Sequence, residues 1–211
     1  MLKDFNIIAV KRIIIAIVAI VALCGVAQAQ RHIEFRWHGV YLVGDVAYGA
    51  NLNRAVEEGA VVGDTLSAVM PTFTVGYQFR KEAGVGLGFS YVADPTGAYT
   101  QLPLFVELRS HYMRSQLTPY TVLQVGYTMP LGMSSTPNPI GNKIEEGGLY
   151  VGIEVGGRYA LSRTTAVALH ASYRLLQSNK VLRTDIHGTS LLAPPVVLNV
   201  VGGGVSFYFS N

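Results

Sequence analysis

The sequence predicts an all-β fold, an eight-stranded antiparallel up-and-down transmembrane β-barrel. Three observations predict it. Apolar residues alternate with small or polar ones in eight separate segments. The connections between those segments alternate between short and long. Half of the residues are hydrophobic and only 14% are charged, against about a quarter charged in ordinary globular domains, yet no long apolar run occurs beyond residue 29. An apolar chain without such a run must carry its hydrophobicity in alternation.

The first 29 residues read as a cleaved signal peptide rather than as part of the fold. Lys3, Lys11 and Arg12 form a positive head, residues 13–23 an apolar centre, and Ala27-Gln28-Ala29 a small-residue cleavage site. The apolar stretch is shorter than the roughly 20 residues of a spanning helix. Cys24 suggests lipid attachment, but Leu23 stands where that processing expects a small residue. Residues 30–211 then form a single barrel domain without cysteine, and nothing covalent staples it. Without the leader, Lys plus Arg falls from 16 to 13 and Asp plus Glu from 13 to 12, leaving +1. So small a charge excess excludes a nucleic-acid partner.

The eight segments are expected at 39–50, 66–79, 85–93, 102–112, 117–129, 149–161, 165–176 and 197–209. In the second, Phe73, Val75, Tyr77 and Phe79 share one face, with Thr72, Thr74, Gly76 and Gln78 on the other. In the third, Val85, Leu87, Phe89 and Tyr91 oppose Gly86, Gly88 and Ser90. Short links are expected at 80–83, 113–116 and 162–164, and long ones at 51–65, 94–101, 130–148 and 177–195. Up-and-down strands place all short links at one end of the barrel and all long ones at the other.

The less apolar face is built mainly from Gly, Ser, Thr and Gln. That face suits the crowded inside of an eight-stranded barrel better than contact with water. Aromatic residues near strand ends are expected to form two interfacial belts: Trp37, Phe79, Tyr112, Tyr120, Tyr159 and Phe209 at the short-link end, and Tyr48, Tyr91, Tyr127 and Tyr173 at the other.

On the inward parity lie Asp45, Glu107, Arg109, Glu154, Arg158, His170 and Arg174. With His170 neutral their charges cancel, which predicts a salt-bridged plug rather than an ion-selective pore. His170 and Ser172 share a face, and Glu154 falls across from them if the hairpin turns near Arg163. A serine, a histidine and a carboxylate are the parts of an acyl-transfer site. This trio therefore stands as the catalytic alternative. The glycine stretches at 202–204 and 156–157 lie inside strands and are not phosphate loops. No cluster has metal-ligand spacing, and neither a metal nor a cofactor is expected. Arg54, Glu57, Glu58, Lys143, Lys180, Arg183 and Asp185 populate the long links, with Glu145 and Glu146 solvated.

The chain resembles the small outer-membrane β-barrels of Gram-negative bacteria, the class that includes the OmpA transmembrane domain and OmpX. The segments "QLPLFVELRSHY" (101–112) and "TPYTVLQVGY" (118–127) look like the fourth and fifth strands of the outer-membrane barrel-domain proteins of Bacteroidota. "GGGVSFYFSN" (202–211) resembles the class's assembly signal, with Gly204, Phe207 and Phe209 at its positions, although Ser210 and Asn211 follow the last aromatic. The resemblance implies residence in the outer membrane and a wall surrounded by lipid and lipopolysaccharide. It also implies handling by periplasmic chaperones and the barrel-assembly machinery; the oligomeric state is left open, with a monomer favoured. The role expected of the chain is a non-enzymatic platform for four outward loops, with a narrow porin-like channel as the alternative. His170-Ala171-Ser172 is also similar to the His-x-Ser pair of outer-membrane lipid A deacylases. In those enzymes the pair faces lipid, whereas here its parity is inward, and the Asn-Ala after their serine is replaced by Tyr173-Arg174.

Overall fold

The computed structural model describes residues 37–52, 56–57, 60–61, 67–93, 100–131, 142–184, 190–193 and 196–211. The leader expected at 1–29 lies outside them, as do several long-link charges, including Arg54, Glu58 and Asp185. Eight long strands follow in order: β1 (Gly39–Asn51), β2 (Ser67–Arg80), β3 (Ala83–Ser90), β4 (Thr100–His111), β5 (Leu117–Pro130), β6 (Asn142–Ala160), β7 (Thr165–Thr184) and β8 (Val196–Ser210). Each pairs antiparallel with its sequence neighbours, and β1 pairs with both β2 and β8. The sheet therefore closes on itself as a barrel with no free edge, which satisfies every strand's backbone groups within the wall.

Closure depends on a long, unbroken seam. Tyr41 to Asn51 pair residue for residue with Ser210 to Val200, so the glycines Gly202, Gly203 and Gly204 lie against Gly49, Tyr48 and Ala47. Short turns at 81–82, 112–116 and 161–164 all lie at one end. Trp37 and Asn211 lie at that end too, where the Asn211 amide donates to the Val40 carbonyl at 3.0 Å and that of Ser210 to Thr164 at 2.8 Å.

Two strands are longer than their alternation suggests. The expected links 130–148 and 177–195 are partly strand, because β6 begins at Asn142 and β7 runs to Thr184. Their paired ends continue past Gly148 through register shifts near Leu176, Ser178 and Lys180, and Ser190–Ala193 adds a further short strand to Val181–Thr184. The period-two signal fails there for a physical reason. Each register shift leaves a residue out of the pairing and turns the side chains that follow to the other face, which breaks a strict period of two. The third strand is shorter than expected: pairing breaks at Tyr91 before Val92–Ala93 resume it. Pro71, opposite the break, has no amide proton to offer; its carbonyl accepts from Tyr91 at 2.9 Å.

The faces are inverted relative to a water-soluble barrel. Large apolar side chains are exposed around the whole wall: Leu87, Leu169, Val155, Val46, Phe207 and Phe73 are examples from six different strands. Polar residues fill the inside. Soluble monomers rarely expose apolar patches beyond a few hundred Å², whereas this belt is continuous. The belts form with two corrections. Tyr48, Tyr91, Tyr127 and Tyr173 at the long-link end, and Phe79, Tyr112 and Phe209 at the other, are exposed. Tyr120, expected outward, is 0% exposed because it shares the inward parity of Thr118, Val122 and Gln124. Trp37 packs against the buried cluster at the short-turn end instead of joining the belt.

Candidate functional site: the charged lumen

The lumen is stacked in layers along the barrel axis. Nearest the short turns, Tyr41, Val43, Tyr120, Val122, Ala160, Ala166, Ala168 and Tyr208 form one buried apolar cluster. Toward the other end Ala47, Ala68, Met70, Val92, Phe105, Tyr150, Leu176 and Val200 form a second. The β1 sequence shows the arrangement, since Asp45 falls between Val43 of the first cluster and Ala47 of the second. Period-two spacing carries these three side chains up one inner face. The central charges are therefore sealed from water at both ends, where unpaired ions would be costly.

All seven inward charges expected from the sequence are buried, at 0 to 7% exposure. They fall into three groups. In the first, Arg109 grips Glu107 with two hydrogen bonds, Nε to Oε1 at 2.9 Å and Nη2 to Oε2 at 3.1 Å. The two residues are i and i+2 on β4, so alternation alone puts them on one face. Tyr41 donates to the same carboxylate at 2.9 Å, and the guanidinium donates to the Tyr208 hydroxyl while lying 4.9 Å from that ring's centre.

The second group draws on five strands. Arg174 Nη2 donates to Glu154 Oε1 at 3.1 Å and to Asp45 Oδ2 at 3.5 Å. Ser206 donates to Asp45 Oδ1 at 2.8 Å, and Gln124, itself held by Tyr150 at 2.8 Å, donates to Glu154 at 3.3 Å. His170 Nδ1 lies 3.6 Å from Asp45 Oδ1 and 3.3 Å from the Ser206 hydroxyl. The imidazole fits because its partners across both ladders are glycines, Gly156 and Gly204. A methyl on Gly204 would stand 2.8 Å from His170 Cε1. The third group is Arg158, which lies 4.4 Å from the Trp37 ring centre at the short-turn end. Trp37 also meets His111 edge-on at 5.3 Å.

This apportionment differs from three simple pairs. One arginine serves Asp45 and Glu154 together, one serves Glu107, and the third stacks on an indole. Sequence parity named the charges but missed Tyr41, Gln124, Tyr208 and Trp37, the groups that orient them. Inward parity was the available signal for the first three.

The catalytic alternative is not assembled. Ser172 and Glu154 are direct cross-strand partners, but the Ser172 hydroxyl makes no hydrogen bond and His170 Nδ1 is turned to Asp45 and Ser206. Nucleophile and base are out of contact, and both point into the packed interior. Closure also brings ligand atoms of Asp45, Glu154 and His170 within 4.8 Å of one another, a grouping no local spacing announces. The Arg174 guanidinium already bonds both carboxylates of that group. A void at the short-turn end, lined by Trp37, Tyr41, Arg109, His111, Arg158 and Tyr208 among others, has about 10 Å³, room for about one water.

Gly204, Phe207 and Phe209 divide between the two faces. Gly204 faces inward under His170, whereas Phe207 and Phe209 are exposed on the wall of β8 at the short-turn end.

No protein-family model and no curated protein matches the chain. Solved structures do. Neisserial surface protein A is 13% identical, aligns over 82% of this chain and 97% of its own, and superposes with a TM-score of 0.54. Outer membrane protein OprG from Pseudomonas aeruginosa is 18% identical over 85% of this chain and 100% of its own, with a TM-score of 0.55. At these identities the likeness is one of fold: the chain has the closed, eight-stranded architecture of small outer-membrane β-barrels.

Proposed function

We propose that this chain is an integral outer-membrane protein whose barrel neither conducts nor catalyses, and instead anchors its long-link end as a platform at the cell surface. One observation carries the reading. The lumen is closed by paired charges between two apolar layers, and the void that Trp37, Tyr41, Arg109 and Tyr208 line at its short-turn end holds only about 10 Å³. Location is supported by the continuous apolar wall and by the fold shared with proteins described as a surface protein and an outer membrane protein. The signal peptide at 1–29 fits export, and on this reading the chain is handled by periplasmic chaperones and the barrel-assembly machinery. Its wall meets lipid and lipopolysaccharide as a monomer.

The competing channel reading requires a continuous aqueous path, which three charge groups and two apolar layers obstruct. The deacylase reading requires His170 and Ser172 to meet lipid, and their burial argues against it. Single-channel recording of the refolded protein in planar bilayers tests the proposal. No reproducible conductance steps are expected; steps of constant size would overturn it.

A further inference from the structure

The short and the long links carry opposite net charge in sequence. Every short turn bears a cation: Arg80 and Lys81 at the first, Arg114 at the second and Arg163 at the third, against the single carboxylate of Glu82. The four long links together sum to −3 in sequence. The cations also adjoin the apolar wall, whose exposed Phe79, Tyr112 and Met113 are chain neighbours of Arg80 and Arg114. At that level a bilayer changes from acyl chain to headgroup.

Between the first two turns lies an open recess of about 520 Å³, lined by Trp37, His38, Phe79, Arg80, Lys81, Glu82 and Arg114. Its shape is held by the wall. The Phe79 carbonyl and the Tyr77 hydroxyl bond the two ring nitrogens of His38, each at 3.0 Å. Lys81 donates to the Tyr112 carbonyl at 3.4 Å, which ties the two turns together, and pairs with Glu82 at 3.1 Å. Among the described residues no carboxylate pairs with Arg80 or Arg114. Two guanidinium groups and an ammonium thus converge on an open, aromatic-floored space with one neutralising carboxylate. Hydrogen bonds from its own backbone amide and from Lys81 hold the Glu82 carboxyl below the usual carboxylate range.

We propose that this recess seats the phosphate-bearing headgroup of an anionic glycerophospholipid, so that the short-turn end selects anionic lipid from its leaflet. Guanidinium forks match phosphate oxygens, while the exposed Phe79 and Tyr112 alongside accommodate the upper acyl chain and glycerol. An acidic protein would satisfy the charges but not the apolar wall that continues from them. The inference rests on the membrane reading above.

Trp37, the only tryptophan in the chain, lines the recess and reports on it. The full chain is refolded into vesicles of phosphatidylglycerol mixed with phosphatidylcholine, either lipid carrying bromines near the glycerol, and Trp37 quenching gives their relative binding constant. Insertion is checked first by the mobility shift on heating, so a chain that never enters vesicles overturns both readings. An inserted chain tests this one alone. At low salt the wild type is expected to prefer phosphatidylglycerol by roughly 30-fold, from the attraction of three interfacial cations offset by Glu82. The combined variant Arg80→Gln, Lys81→Gln and Arg114→Gln is expected to bring the ratio near one. A wild-type ratio near one, or an unmoved ratio in that variant, overturns the proposal. If the variant does not fold, Glu82→Gln decides: a higher ratio supports the site, and an unchanged one overturns it.

Discussion

Arg174 is the residue on which the central layer turns, because among the described residues it alone forms ion pairs with both Asp45 and Glu154. Replacing it with alanine leaves two buried carboxylates uncompensated. Breaking such a set costs about 3–5 kcal/mol. Ser172→Ala removes a buried hydroxyl that makes no hydrogen bond, and because no bond is lost a near-neutral change is expected. Urea unfolding in lipid vesicles measures both, and similar losses for the two would contradict the layer described. Gly204 gives a second residue-scale prediction. Its Cβ would meet His170 Cε1 at 2.8 Å and the Val46 carbonyl at 2.7 Å, so Gly204→Ala is expected to cost about 1–3 kcal/mol as overpacking. If His170→Ala in the same chain recovers none of that loss, the imidazole is not the obstruction.

Strands are where the sequence speaks most clearly, and where it falls silent for reasons that can be named. Phe73, Val75, Tyr77 and Phe79 announce β2 because one face meets an apolar surrounding and the other a packed interior. Beyond Gly148 and Leu176 the pairing continues through three register shifts, and these break the alternation that a sequence reading relies on. Tyr120 shows the other limit. An aromatic near a strand end suits an interfacial belt by type, and only strict parity along β5 with Val122 and Gln124 places it inside. The charged residues were legible by that same parity, but their partners were not. Arg174 and Asp45 lie 129 positions apart and meet only across the closed barrel. Outward positions make the element-scale prediction: Leu169, 53% exposed on β7, would carry a charge into lipid as Leu169→Arg. Substitutions of this kind near the midplane of a barrel wall cost about 2–4 kcal/mol. Vesicle refolding equilibria check it, and a neutral outcome would mean that this face meets water.

At the scale of the whole molecule, closure unites these observations. β8 is apolar, glycine-rich and unfit to stand as a free edge, and it pairs along eleven positions with β1. Removing Phe207 to Asn211 deletes the partners of Tyr41 to Gly44 and opens the seam at the short-turn end. The truncated chain is expected not to form a heat-resistant barrel. The central claim is that a closed barrel, apolar outside and ion-paired inside, spans a bilayer. The mobility of the vesicle-refolded chain on gels, with and without boiling, tests that claim most directly. An unheated band that runs apart from the boiled one, from protein that stays with the vesicles through a urea wash, is the predicted result. A single mobility from protein left in the aqueous supernatant would contradict it.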